Sequence, residues 1–152
     1  MTYFSADKFR LLSARIPYGA LILLVLLVPI SCGAGKSIEI ATRGVEEFHT
    51  QLNSEEYQSI YAVSDGNLQK TTTEGDFVSF LQAVHKKLGK VQKAQRSNFQ
   101  IGMSTGQGTV VTLVYQTTFD QGSGTEQFQW RMHDNQPMLL GYHINSNALV
   151  LK

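Results

Sequence analysis

The chain has 152 residues, a formal net charge of +1 and 42% hydrophobic residues, which is enough for one domain with a buried core. Residues 1–31 carry a net charge of +2 and the remainder carries −1. Because the larger part has no basic stripe, it offers little electrostatic attraction to a phosphate backbone. The composition therefore argues against a nucleic-acid partner.

The first thirty residues have the layout of a secretory signal peptide. A basic zone extends to Arg15, an apolar run covers residues 18–28, and small residues follow at 31–35. Even when it is counted from Ile16 to Ile30, the apolar run has 15 residues, fewer than the roughly 20 that a membrane-spanning helix needs. The sequence predicts export from the cytoplasm, and an uncleaved, tilted N-terminal anchor is the alternative.

Cys32 is the only cysteine, so a disulfide within the chain is excluded and a thiolate metal site is disfavoured. It follows the apolar run and the small residue Ser31, and this arrangement resembles the lipobox of bacterial lipoproteins. The resemblance implies diacylglycerol on the Cys32 sulfur, acyl chains such as palmitate, and tethering on the periplasmic or extracellular face of a membrane. Pro29 stands where that family usually has Leu, and cleavage after Ala34 is the alternative to cleavage before Cys32.

The chain is thereby divided into a signal peptide (1–31), a lipidated linker (32–36) and one domain (37–152). The mostly small residues from Gly33 to Ser37 predict a short flexible spacer at this junction. Apolar residues spaced by three and four predict one bent helix or two abutting helices over residues 37–63, with a capping box at 53–56. Residues 64–67 break this pattern.

A further helix is predicted to begin after the cap residue Thr73 and to end at Gly89. Its buried face would consist of Phe77, Phe80, Leu81, Val84 and Leu88.

From Lys90 onward, alternation of apolar and polar residues predicts strands, which would cover residues 92–103, 109–119, 125–133 and 137–144. Short loops between them favour an antiparallel meander. Three apolar residues interrupt the polar pattern of its outer face, namely Val110, Val114 and Leu139.

Opposed residues in an antiparallel pair share a face, which constrains the register of the last hairpin. An odd-length loop or a bulge would allow the pairs Met132–Met138, Trp130–Leu140 and Phe128–Tyr142. The helices would then cover the resulting apolar face.

Helices followed by a curled four-stranded antiparallel sheet resemble the cystatin-like and nuclear-transport-factor-2-like superfamily. The run from Leu140 to Ile144 (Leu-Gly-Tyr-His-Ile) and the pair Leu88-Gly89 before a long strand are similar to segments of small secreted domains in that group. The resemblance covers residues 37–149 and implies an α+β fold. It does not fix function, because some members are pocket enzymes that use an acidic residue or a Tyr, and others only bind or assemble.

The titratable residues do not form a recognisable catalytic or metal constellation. None of the four histidines has the spacing of metal ligands, so neither a metal nor a cofactor is predicted. We expect His85 to face solvent and His143 to lie on the outer face opposite Gln127. Structural roles in turns or caps are expected for Asp65, Asp76 and Asp120.

Glu126 is the one carboxylate that the alternation places on the inner face, with Phe128 and Trp130. A base with a raised pKa could arise there, but a position at the start of a strand favours a solvated rim residue. We also consider whether aromatic residues line a pocket with their polar ends inward, although core packing is their commoner role. These candidates are Tyr57, Tyr61, Tyr115, Trp130 and Tyr142.

The sequence therefore favours a membrane-tethered envelope domain that is not an enzyme and that binds a small apolar ligand or an envelope protein. The first alternative is a small enzyme of the ketosteroid-isomerase type, with Glu126 or a tyrosine in its pocket. The second is a self-association module, such as a homodimer, that uses the outer sheet face.

Overall fold

A computed structural model describes residues 32–104 and 108–150. In chain order the elements are α1 (Cys32–Asn53), α2 (Tyr57–Ala62), α3 (Gly66–Thr71), α4 (Glu74–Leu88), β1 (Val91–Ser104), β2 (Gly108–Phe119), β3 (Gly122–His133), β4 (Gln136–Asn145) and α5 (Asn147–Val150). The strands form one antiparallel sheet in the order β1-β2-β3-β4. The predicted α+β fold, with helices preceding an antiparallel meander, is confirmed. The predicted export signal lies outside the described residues.

Helix α1 packs on the sheet through a stripe spaced by four, three and four residues: Ala41, Val45, Phe48 and Leu52 are all buried. The helix already begins at Cys32, so the prediction of a flexible spacer at residues 33–37 is wrong. Within this first part, the Ser37 hydroxyl donates to the carbonyl of Gly33, four residues earlier. Among the described residues, no helix combines the length and apolar character needed to cross a bilayer.

Between α1 and α2 the predicted capping box is not formed. Glu55 has a φ of +60°, and the N-cap of α2 is Glu56, which makes no side-chain capping bond. The Asn53 side chain instead bonds both the N–H and the carbonyl of Val91, at 2.8 and 3.1 Å. It therefore ties the end of α1 to the start of the sheet.

The break predicted at residues 64–67 contains the start of α3, a short helix that the periodicity does not reveal. Its cap is Asp65, which accepts a hydrogen bond from the N–H of Asn67. This confirms the capping role expected for Asp65.

Helix α4 agrees with the predicted cap and end. Thr73 accepts a bond from the N–H of Asp76 and donates one to the Asp76 carboxylate. Gly89 has a φ of +78°, and a Cβ there would lie 2.6 Å from the Cβ of Asp120, so glycine is needed for both reasons. Phe80, predicted to be buried, is 41% exposed, whereas Phe77, Leu81, Val84 and Leu88 are buried as predicted.

The last hairpin differs from the predicted register by one residue. Asp134 and Asn135 form a two-residue turn in which both φ angles are positive. This tight turn places Trp130 opposite Leu139 and Met132 opposite Pro137, and a bulge between Gln129 and Trp130 then restores the predicted pair of Phe128 and Tyr142. The expected bulge is thus confirmed.

The other two predicted pairs of this hairpin are wrong. A further consequence is that Leu139 is buried on the inner face, so it does not belong to the predicted outer apolar patch. Only Val110 and Val114 of that patch remain on the outer face, and both are half-buried.

Candidate functional site

A cavity of about 480 Å³ lies between α1, α2 and the β3–β4 hairpin. Its volume is within the range of about 300–1,000 Å³ that is typical of small-molecule sites. Eight of the lining residues are apolar or glycine: Ile40, Gly44, Phe48, Ile60, Val63, Trp130, Pro137 and Leu139. The polar lining residues are Arg43, Glu47, Gln51, Asn135 and Gln136.

The α1 wall of the cavity follows from the helical period. Ile40, Gly44 and Phe48 recur every four residues and so lie along one side of the helix. At Gly44 the helix approaches the hairpin closely, since a Cβ there would lie 3.2 Å from both Pro137 and Trp130. Glycine at this position therefore allows the helix and the hairpin to meet at the cavity.

The charged residues at the cavity have partners within α1. Arg43 pairs with Glu39 at 2.6 Å, and the Gln51 amide donates to Glu47 at 2.9 Å. Each partner is four residues away along the exposed side of the helix, where such pairs contribute little to stability. Polar side chains of α1 and of the hairpin turn therefore share the cavity lining with the apolar residues.

Trp130 forms the β3 side of the cavity wall. Its ring stacks against Phe128, with centroids 6.2 Å apart and planes 10° from parallel. Its indole N–H is buried and finds no hydrogen-bond acceptor among the described residues, which is unfavourable for a polar group. Packing alone therefore holds the indole in place.

Next to the cavity, on the inner face of the sheet, Glu126 is the centre of a buried polar cluster. One carboxylate oxygen accepts hydrogen bonds from Thr117 and from His49 Nε2, the latter at 2.9 Å. The other accepts a bond from the Tyr142 hydroxyl at 2.7 Å. An ionised carboxylate can only accept, so with Glu126 in that form the contact requires the hydrogen of His49 on Nε2. Each oxygen of Glu126 has at least one donor.

The prediction that Glu126 is a solvated rim residue is wrong, because its side chain is wholly buried and the residue is 0% exposed. Strand β3 begins at Gly122 rather than Thr125, so Glu126 lies in the fifth position of the strand and beneath α1. A signal for this cluster was present in the sequence. His49 adjoins the apolar stripe of α1, and Thr117 and Glu126 both occupy inner-face positions on adjacent strands.

The tyrosines near this cluster stay protonated. Burial raises the pKa of Tyr142 well above its usual value of 10.0, and the neighbouring Glu126 charge and their hydrogen bond raise it further. Burial also raises the pKa of Tyr115. Tyr142 is therefore a hydrogen-bond donor to the carboxylate throughout the neutral range.

The five aromatic residues considered as pocket lining do not share one site. Trp130 lines the 480 Å³ cavity, whereas Tyr142 borders a separate groove of about 240 Å³ beside Phe80. The other three are held within the fold. Tyr115 is buried in the main core, and the Tyr61 hydroxyl donates to the carbonyl of Thr72 at 2.9 Å.

Tyr57 shares a 2.8 Å hydrogen bond with His85 Nδ1. Burial, followed by the nearby charge of Glu55, raises the pKa of Tyr57. The prediction that His85 faces solvent is wrong, because its side chain turns toward Tyr57 and is 12% exposed.

The other polar candidates have structural positions. His143 is exposed and lies opposite Gln127, as predicted. Asp120 accepts bonds from the N–H of Lys90 and from Gln92, which confirms its place in a turn. Within residues 32–104 and 108–150, no three His, Cys, Asp or Glu residues are close enough to hold a metal ion.

No known protein-family model and no curated protein sequence matches this chain, so the geometry of its cavity and its buried cluster is the basis for a functional proposal.

Proposed function

We propose that this protein is exported, is tethered to a bacterial membrane by a lipid on Cys32, and binds a small apolar ligand without transforming it. The observation that carries the binding role is the 480 Å³ cavity between α1, α2 and the β3–β4 hairpin, whose lining includes Phe48, Trp130 and Leu139. We further propose that the domain belongs with the cystatin-like and nuclear-transport-factor-2-like folds, in keeping with its helices followed by a four-stranded antiparallel sheet.

The chemistry of the cavity favours a ligand that is mostly apolar. Phe48, Trp130 and Leu139 offer aromatic and aliphatic contacts, and the exposed Val63 extends the apolar surface to the outside. A ligand that buries about 300 Å² of apolar surface would gain roughly 7.5 kcal/mol before the costs of association. Since association itself costs at least about 4 kcal/mol, the net gain of roughly 3.5 kcal/mol corresponds to an affinity of about millimolar.

The absence of catalysis is supported by the state of Glu126. A general base has to reach the proton that it removes, at a distance of about 3 Å. Glu126 has no exposed surface, and its oxygens already accept hydrogen bonds from Thr117, His49 and Tyr142. A base of the ketosteroid-isomerase type would need an open carboxylate in the cavity, and Glu126 does not line it.

The binding proposal can be tested on the full chain, purified in mild detergent. Native mass spectrometry would detect a co-purifying ligand, and the fluorescence of an anilinonaphthalene sulfonate dye would give an affinity. Val63→Trp, which places a large side chain at the edge of the cavity, should weaken dye binding about tenfold, equivalent to about 1.4 kcal/mol. Val150→Trp adds the same ring to an exposed site outside the cavity and should leave the affinity unchanged. Equal dye affinity for both variants would contradict a binding role for the cavity.

The lipid anchor has its own test, which does not depend on the ligand. In a bacterial host, Cys32→Ala should abolish lipid attachment, move the protein out of the detergent phase and change its electrophoretic mobility. Two acyl chains or more are needed for stable anchoring, so the loss should be nearly complete. Unchanged partitioning and mobility of the Cys32→Ala variant would instead support the uncleaved N-terminal anchor.

A further inference from the structure

The inner side of the β1–β2 hairpin carries large apolar side chains that none of the helices within residues 32–104 and 108–150 covers. Phe99 lies opposite Leu113, and Met103 lies opposite Thr109. Opposed residues share a face, so Phe99 projects to the same side as the buried Leu113, and Met103, four residues further along β1, follows it. Yet Phe99 is 51% exposed and Met103 is 87% exposed. We call these two residues the hairpin patch.

The hairpin patch lies at the end of the domain where α1 begins. Met103 pairs with Thr109, Thr109 with Met132, and Met132 with Pro137, so these residues form one row across the sheet. Gly44 of α1 contacts Pro137 in this row. The opposite end of α1, at Asn53, is bonded to Val91 at the far end of β1. Cys32 therefore lies beyond the row that contains Met103.

Cys32 and this row can meet one flat surface when α1 lies at a slant to it. Gly44, which lies against Pro137 in the row, is 12 residues after Cys32. Twelve residues of α-helix are about 18 Å long. The headgroup layer on one side of a bilayer is only about 5–7 Å deep, so the domain has to tilt toward the β1–β2 hairpin for Met103 to enter it.

We propose that the hairpin patch contacts the lipid surface to which the chain is attached at Cys32. This inference rests on the proposed membrane anchor, and it adds a second contact that fixes the orientation of the domain. Charge favours the same occupant, because the exposed Arg96 guanidinium lies 5.8 Å from the centre of the Phe99 ring. It donates one hydrogen bond to Thr42 and has further N–H groups with which to meet lipid phosphates. Lys36 is exposed on α1 at the same end.

A second copy of the chain fits this region less well than a bilayer does. Pairing along the free edge of β1 would need a regular strand, but β1 has irregularities between Val91 and Lys93 and between Arg96 and Asn98. Bulges and positive charges on an edge strand disfavour pairing with another chain. The lipid surface, by contrast, needs no matching backbone.

Fluorescence quenching by brominated lipids tests the proposed contact. The full chain would be reconstituted into phosphatidylethanolamine–phosphatidylglycerol vesicles whose acyl chains carry bromine, which quenches tryptophan only at close range. Met103→Trp places the reporter in the hairpin patch. Val150→Trp is the matched control, because Val150 is 79% exposed and follows Ala148, which lies against Gly122 at the opposite end of the sheet. The unsubstituted chain gives the contribution of Trp130.

We expect brominated lipid to remove most of the emission that the Met103→Trp substitution adds and little of what Val150→Trp adds. Protein that floats with the vesicles but shows equal quenching in both variants, or quenching in neither, would overturn the oriented contact and leave the anchor intact. Protein that does not float with the vesicles would overturn the anchor and, with it, this contact. Gel filtration of each variant in detergent would show whether a dimer hides the reporter; quenching lost through such a dimer would also count against the bilayer contact.

Discussion

The cavity and the Glu126 cluster are neighbouring regions on the same side of the sheet, but their polar groups are arranged in opposite ways. Phe48 contacts both, since it lines the cavity and its ring centroid is 4.7 Å from that of Tyr142. In the cluster, each carboxylate oxygen has a donor and none is accessible. In the cavity, the lining is open, and its polar side chains, such as Arg43 and Glu47, are exposed beside the apolar ones. Solvent accessibility of the polar groups therefore distinguishes a candidate binding site from a structural network better than residue type does.

The comparison also explains why a buried Glu–His pair need not be catalytic. Burial of a charge is costly unless it is paired and hydrogen-bonded, and Thr117, His49 and Tyr142 supply these bonds to Glu126. The three donors come from β2, α1 and β4. The cluster therefore ties α1 to the sheet in one register, beside the cavity that the same helix borders.

The largest effect should come from removing the centre of the cluster. Glu126→Ala leaves three buried donors without an acceptor, and we expect it to lower the free energy of unfolding by about 3–5 kcal/mol. Urea denaturation of the full chain in mild detergent, followed by circular dichroism, would measure this loss. Glu126→Gln keeps the shape and one acceptor and should lose less.

The same variant also sharpens the contrast between the two regions. Under conditions where Glu126→Ala is folded, its dye affinity should equal that of the unsubstituted chain. A large loss of affinity with little loss of stability would mean that Glu126 acts in the binding site.

A smaller effect is expected at the cavity wall. Trp130→Phe removes apolar contact area and also removes a buried N–H that has no acceptor among the described residues. Because these changes oppose each other, we expect the free energy of unfolding to fall by only about 1 kcal/mol. Dye affinity should nevertheless fall several-fold, since the indole is part of the wall. Unchanged affinity with a large loss of stability would assign Trp130 to the core alone.

Local patterns in the sequence predict the fold well where one physical rule acts alone. The Thr73 cap, the end of α4 at Gly89 and the inner face of β2 follow from capping, glycine conformation and alternation. The meander follows from short loops. These features depend on a few neighbouring residues, so the chain itself contains the necessary information.

Features that depend on tertiary contacts are predicted poorly. The positive φ angles of Asp134 and Asn135 shift the last hairpin by one residue and bury Leu139. Asn53 bonds the distant Val91 instead of capping the next helix. Glu126 is on the predicted face, but its enclosure depends on His49, which is 77 positions away. The cavity likewise needs the close approach of Gly44 to Pro137.

The smallest predicted effect concerns alkaline pH and again distinguishes the cluster from the cavity. The pKa of Tyr142 in the folded protein is well above its usual value of 10.0, because burial and Glu126 disfavour the phenolate. As the pH rises above about 10, the unfolded chain therefore loses this proton first, and the free energy of unfolding falls as the pH rises through the folded-state pKa. One such group contributes a slope of at most about 1.4 kcal/mol per pH unit.

Tyr142→Phe removes this titration, so its free energy of unfolding should fall less steeply between about pH 10 and 11. Tyr57 and Tyr115 also have raised pKa values, so a weaker slope should persist in the variant. Denaturation midpoints measured at several pH values would give both slopes. Below pH 10 the variant should be less stable by a roughly constant amount, about 1–2 kcal/mol, for the lost bond to the Glu126 carboxylate. If the unsubstituted chain and Tyr142→Phe lost stability equally steeply at alkaline pH, the phenolate of Tyr142 would have to reach water. The cluster would then be open to solvent, and Glu126 would again be a candidate catalytic group.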